Sequence, residues 1–116
     1  MPPELRVFVY HEAIDMRAGF HRLQSLVAVG MNGNLFEGHL FLFLGKNRRR
    51  AKILLFDGTG LVLIIKRLDR NVFMPIQDFV ETREIAAVDL ERILDGANLR
   101  VRFAAAKRER QPEEVP

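Results

Sequence analysis

Five cations crowd into seven residues near the middle of this chain: Lys46, Arg48, Arg49, Arg50 and Lys52, with no acid between them. Like charges at that density repel one another and gain little inside a protein. They become favourable when phosphate oxygens replace their counterions, and such binding weakens steeply with salt. A second group, Lys66, Arg67 and Arg70, follows at the far end of a later apolar run. Residues 46–70 hold eight of the 18 basic side chains but only two of the 15 acids, Asp57 and Asp69, so the positive field is local. These eight cations are the candidate nucleic-acid-binding residues. The competing reading is a solvated turn whose charges keep a sheet edge soluble.

Other chemistries are weaker. Asp57-Gly58-Thr59-Gly60 is glycine-rich but lacks the Lys and the following helix of a phosphate-cradling loop, and its apolar flanks make it a hairpin turn. His11-Glu12-Ala13-Ile14-Asp15 has an Asp where a helical zinc motif needs its second His, so no metal site is expected. Phosphodiester hydrolysis wants clustered carboxylates for metals, whereas Asp15, Asp57 and Asp69 are scattered among turns and a cap. The single Ser, Ser25, falls in mid-helix, away from any nucleophile elbow. Phe41 and Phe43 share one strand face, with Phe56 nearby in pattern. Bases can stack on such a face, but the core's own need for Phe is the stronger claim on it. His21 reads as a surface helix residue, and His39 as a strand-edge hydrogen bonder. No catalytic residue and no cofactor are expected.

The elements that position the cations follow from periodicity. Leu5–Tyr10 alternates as a short strand. Asp15 reads as an N-cap for a helix over Met16–Val29, in which Met16, Phe20, Leu23 and Val27 recur at helical spacing. Gly19 inside that helix costs about 1 kcal/mol against Ala, so a close approach to a strand is expected in compensation. Gly30 and Asn32-Gly33-Asn34 end it. His39–Leu44, Lys52–Phe56 and Leu61–Arg67 then read as three strands of a meander, which places the 45–50 turn and Lys66–Arg70 at the same end of the sheet. Asn71–Pro75 is a candidate fourth meander strand, confined to an edge or a strand end by Pro75. Ala87–Asp95 reads as a short helix ended by Gly96, and Leu99–Phe103 as a last extended piece.

The fold class expected is α+β: an antiparallel β-meander of about four to five strands packed by one N-terminal helix, with a short C-terminal helix and a loose charged tail. Residues 1–103 would form the domain and 104–116 the tail. Hydrophobic residues make up 48% of the 116, nine Phe among them, which suffices for a core. The absence of Cys suits a reducing compartment. Met1-Pro2-Pro3-Glu4 has no signal-peptide character, and the apolar runs Leu40–Leu44 and Leu61–Ile65 are too short to span a bilayer. A cytoplasmic protein without membrane contact is the expectation.

Several segments also resemble one family. Asp15-Met16-Arg17-Ala18-Gly19-Phe20, Gly38-His39-Leu40-Phe41-Leu42-Phe43, Leu55-Phe56-Asp57-Gly58-Thr59-Gly60-Leu61, Lys66-Arg67-Leu68-Asp69-Arg70 and Leu90–Gly96 stand in the order and near the spacing of its motifs. The chain is similar over about residues 7–97 to the second-open-reading-frame (TnpB-type) accessory proteins of insertion sequence sixty-six transposons, which are distinct from the RNA-guided nuclease sharing that label. Leu55-Phe56 stands where the family has a Trp pair, and Met74-Pro75 where it has an aromatic-Pro pair. The resemblance implies a non-catalytic helper of DNA transposition, encoded beside a transposase, that contacts DNA, the transposase or both. The alternative is a protein-interaction module using Leu40–Leu44 or Val72–Ile76 as an edge or face toward the transposase or a second copy. A metal-dependent nuclease is the least favoured reading.

Overall fold

The computed structural model describes residues 5–76 and 83–96. Its chain order is β1 (Arg6–Val9), α1 (Phe20–Ser25) running into a wider π turn (Leu26–Gly30), a short 3-10 turn (Leu35–Glu37), β2 (Leu40–Leu44), β3 (Arg50–Phe56), β4 (Leu61–Arg67), β5 (Glu84–Ala86) and α2 (Ala87–Leu94). One five-stranded sheet has the order β4-β3-β2-β1-β5. The α+β class holds, as does the β2-β3-β4 meander, with β4 ending where the sequence pattern put it.

The unbroken apolar pattern of β2 has a physical cause: the strand is central and both of its faces are buried. On one face Phe41 and Phe43 pack with Tyr10, Leu23, Leu26, Val27 and Leu54 beneath α1. On the other, Leu42 and Leu44 pack with Val7, Val9, Ile53, Phe73 and Ile93 beneath α2 and the 68–76 segment. Phe41, Phe43 and Phe73 are fully buried, and each such side chain contributes about 1.5–3 kcal/mol. The Phe-rich strand is therefore core.

Four expectations need correcting. β1 pairs with β2 in parallel, Val7 opposite Leu40 and Val9 opposite Leu42, so the sheet is mixed. The stretch from Tyr10 to His39 is the crossover that a parallel pair requires. The helix starts at Phe20 rather than Met16, because Ile14 is still tied to the sheet, donating its N–H to the Leu44 carbonyl. Asp15 accordingly closes a local turn by accepting from the Arg17 N–H, and Gly19 is the extended residue before the helix, with open space where a Cβ would sit. Asn71–Pro75 forms no strand; the fifth strand is β5, antiparallel to β1 with Val7 opposite Ile85. Finally, Leu40–Leu44 lies at the centre of the sheet and Val72–Ile76 is not a strand, so neither offers a strand edge. Leu99–Phe103 and the 104–116 tail lie outside the described residues.

α2 begins after β5 and ends before Gly96, whose φ of 79° is the left-handed conformation that suits glycine past a helix end. Among the described residues no helix is long and apolar enough to cross a membrane.

Candidate nucleic-acid interface

The cations are brought together by strand register. β3 and β4 pair without a bulge from Phe56 opposite Leu61 to Arg50 opposite Arg67, and Ala51 lies opposite Lys66. Beyond the ladder, the Leu68 N–H donates to the Arg49 carbonyl at 2.8 Å. The 45–50 turn and the 66–70 segment therefore share one end of the sheet. Arg50 facing Arg67 is a like-charge cross-strand pair, an arrangement that destabilises a ladder unless an anion joins it.

The eight sequence candidates do not all remain free. Lys52 is buried at 7% exposure and its Nζ donates to the Ala18 carbonyl at 2.6 Å. It lies on the α1 face of β3, where it holds the segment leading into α1. Arg48 sits at a φ of 61°, its Nε donates to the Phe73 carbonyl at 2.9 Å, and its own carbonyl accepts the Phe73 N–H at 2.7 Å. Arg48 thus stitches the turn to the 68–76 segment. The other six, Lys46, Arg49, Arg50, Lys66, Arg67 and Arg70, are exposed. None of them makes an ion pair within 4.0 Å to a carboxylate of the described residues, where the pairs are Arg6–Glu84, Arg17–Asp15, His39–Glu37 and Arg92–Asp89.

Two further cations join this end. The Ile14–Gly45 bridge carries the chain after β1 alongside the turn, and the side chains of Asp15, Arg17, Arg22 and Lys46 line a common cleft of about 460 Å³. A neighbouring hollow is lined by Ile14, Asp15, Met16, Lys46, Asn47 and Arg50. Gly45 permits the approach: a Cβ there would lie 2.8 Å from Met16 Cγ. The Arg17 guanidinium bonds both carboxylate oxygens of Asp15, and with the Arg17 N–H and the nearby Lys46 it holds that carboxyl well below the usual range. Asp15 is thus anionic and engaged by Arg17. Sequence pattern missed Arg17 and Arg22 because both fall inside the segment read as a helix over Met16–Val29. The one available signal was the Asp15-Met16-Arg17 spacing, which suits an Asp-centred turn as well as a cap.

The opposite end is built differently. Asp57 Oδ1 accepts from the Thr59 N–H, the Thr59 hydroxyl and the Gly60 N–H, which lowers its pKa and closes the hairpin turn expected there. Asp15 and Asp57 therefore lie at opposite ends of the sheet, each engaged by local donors. Among the described residues no group of three or more His, Cys, Asp or Glu is placed to hold a metal ion. His39 Nδ1 accepts the Arg6 N–H at the start of β2, and His21 is exposed on α1, as their positions in the pattern suggested.

The fold and this end of it define a small α+β domain with a concentrated cationic surface, six of whose cations make no ion pair with a carboxylate of the described residues. Comparison with known proteins then identifies the family. The family model described as IS66 Orf2 like protein matches residues 5–103, and the chain belongs to that family. Two relatives of Sinorhizobium fredii (strain NBRC 101917 / NGR234) are similar. The uncharacterized protein y4hO is 37% identical over 60% of this chain and 61% of its own length; the uncharacterized protein y4jC is 30% identical over 64% and 65%. The aligned part thus spans less than two thirds of each relative. No solved structure matches the chain.

Proposed function

We propose that this protein is a non-catalytic accessory factor of transposition that holds DNA by its phosphates at the cationic end of the sheet. The observation that carries the reading is the Arg50–Arg67 cross-strand pair, flanked by exposed Lys46, Arg49, Lys66 and Arg70 with no described carboxylate in ion-pair range. A fold tolerates such a concentration readily when a polyanion is its counterpart. Arg17 and Arg22 extend the surface across the neighbouring cleft. Contacts of this kind set position rather than sequence, so binding should be largely independent of base order. The carboxylates support the non-catalytic part: Asp15 and Asp57 sit at opposite ends of the sheet, each engaged by its own turn. The transposase of the same element is a second partner in this reading.

The test is fluorescence anisotropy with a short duplex and a single strand over a salt series. Wild type should bind, with affinity falling as salt rises by about 0.9 in log–log slope per phosphate contact on duplex. Replacing Arg49, Arg50 and Arg67 by Ala should lower affinity at least about tenfold and flatten the slope. These three are chosen because Arg48 and Lys52 have structural partners. Unchanged affinity in the triple variant would overturn the reading.

A further inference from the structure

Among the described residues, β4 is an open edge with few of the usual protections. Natural edge strands are blunted by prolines, bulges, short length, covering elements or charges along the strand. β4 has seven residues, Leu61–Arg67, paired to β3 without a bulge and containing no proline, with charges only at positions 66 and 67. Ile64 is 47% exposed and Ile65 62% exposed, on opposite faces of the sheet. The other edge, β5, has three residues, one of which is clamped to β1 by the Arg6–Glu84 pair.

We propose that β4 pairs antiparallel with β4 of a second copy of this chain, across a two-fold axis at Ile64. Three features of the strand select this occupant and this register. First, it is the one antiparallel register that pairs all seven residues: Leu61 faces Arg67 of the second copy, Val62 faces Lys66, Leu63 faces Ile65, and Ile64 faces itself. Second, the charges fit. Each copy's Lys66 and Arg67 meet apolar residues, over which their aliphatic stems can lie, whereas a parallel pairing would set Lys66 against Lys66. Third, both apolar layers continue. Leu63 belongs to the α1-side core and would gain Ile65 of the other copy, while Ile64, opposite Ile53 on the α2 side, would gain its own counterpart. The product is a ten-stranded sheet with the Arg67 residues of the two copies about 20 Å apart along the strands, one cationic end at each side.

The test uses the full chain and its lack of Cys. Sedimentation velocity should show a concentration-dependent species at twice the 13.4 kDa chain mass. The I64K/I65K variant, altered only at exposed positions, should sediment as a monomer with an unchanged circular dichroism spectrum. Cross-linking checks the register separately. In an antiparallel pair, directly opposite Cα atoms lie about 4.5–5.5 Å apart, within disulfide range. Ile64→Cys should therefore form a covalent dimer under mild oxidation. Val62→Cys should not, because the two copies of that position lie about 14 Å apart along the strands. A wild-type monomer at every concentration, a dimer that survives I64K/I65K, or cross-linking of Val62→Cys as fast as Ile64→Cys would each overturn the proposal.

Discussion

The two hairpin turns of the β2-β3-β4 meander solve opposite problems. The 57–60 turn satisfies itself: one carboxylate, Asp57, takes three donors from Thr59 and Gly60. The 45–50 turn borrows from everywhere else. Its Gly45 is bridged to Ile14, its Arg49 carbonyl takes the Leu68 N–H, and its Arg48 exchanges hydrogen bonds with Phe73. The lesson is that a turn stitched by backbone atoms and one anchoring side chain, Arg48, leaves Lys46, Arg49 and Arg50 directed to the surface.

The contrast predicts where damage should be greatest. Phe73 is fully buried and supports the 68–76 segment that receives the 45–50 turn. Phe73→Ala should cost about 3–5 kcal/mol in urea unfolding. A loss nearer 1 kcal/mol would mean that the segment contributes little to that end. Next, Lys52→Ala should cost about 1–3 kcal/mol by leaving the Ala18 carbonyl without its donor. Its effect on DNA affinity should be smaller than that of Arg50→Ala measured in the same anisotropy assay, because the Lys52 ammonium already has a partner inside the protein.

A smaller effect is the sharpest. Arg67→Glu turns the like-charge pair with Arg50 into an opposite-charge pair. Thermal unfolding should show a gain of about 0.2–1 kcal/mol while DNA affinity falls. A change that stabilises the fold and weakens binding would mark the cationic pair as retained for function; a loss of both would mark it as structural. The least effect is expected at the self-closed turn. The Asp57 pKa is lowered by its turn donors, so its contribution to stability is present above the ordinary Asp value of 3.8 and is lost as pH falls through the lowered one. Asp57→Asn should reduce stability slightly at pH 7 and flatten the acid limb of the unfolding curve below about pH 4, with DNA binding unchanged.

Much of this was legible in the amino-acid order. Strong local patterns carried their own evidence: alternating or continuous apolar runs for the strands, Asp-Gly-Thr-Gly for the hairpin, and Gly96 for the end of α2. The density of cations at 46–50 and 66–70 marked a cationic surface, because charge concentration is a property of sequence alone. What the sequence could not decide was whatever depends on atoms distant along the chain. Lys52 belonged to the cationic run by spacing, yet the period of two along β3 turned it under α1 and onto the Ala18 carbonyl. Asp15 had the chemistry of a helix cap, but the Ile14–Gly45 bridge held its backbone to the sheet and moved the helix start to Phe20. The same bridge brought Arg17 and Arg22 beside Lys46. Local propensity fixes elements where one segment satisfies its own hydrogen bonds. Where a backbone group finds its partner thirty residues away, only the tertiary fold decides which charges stay free.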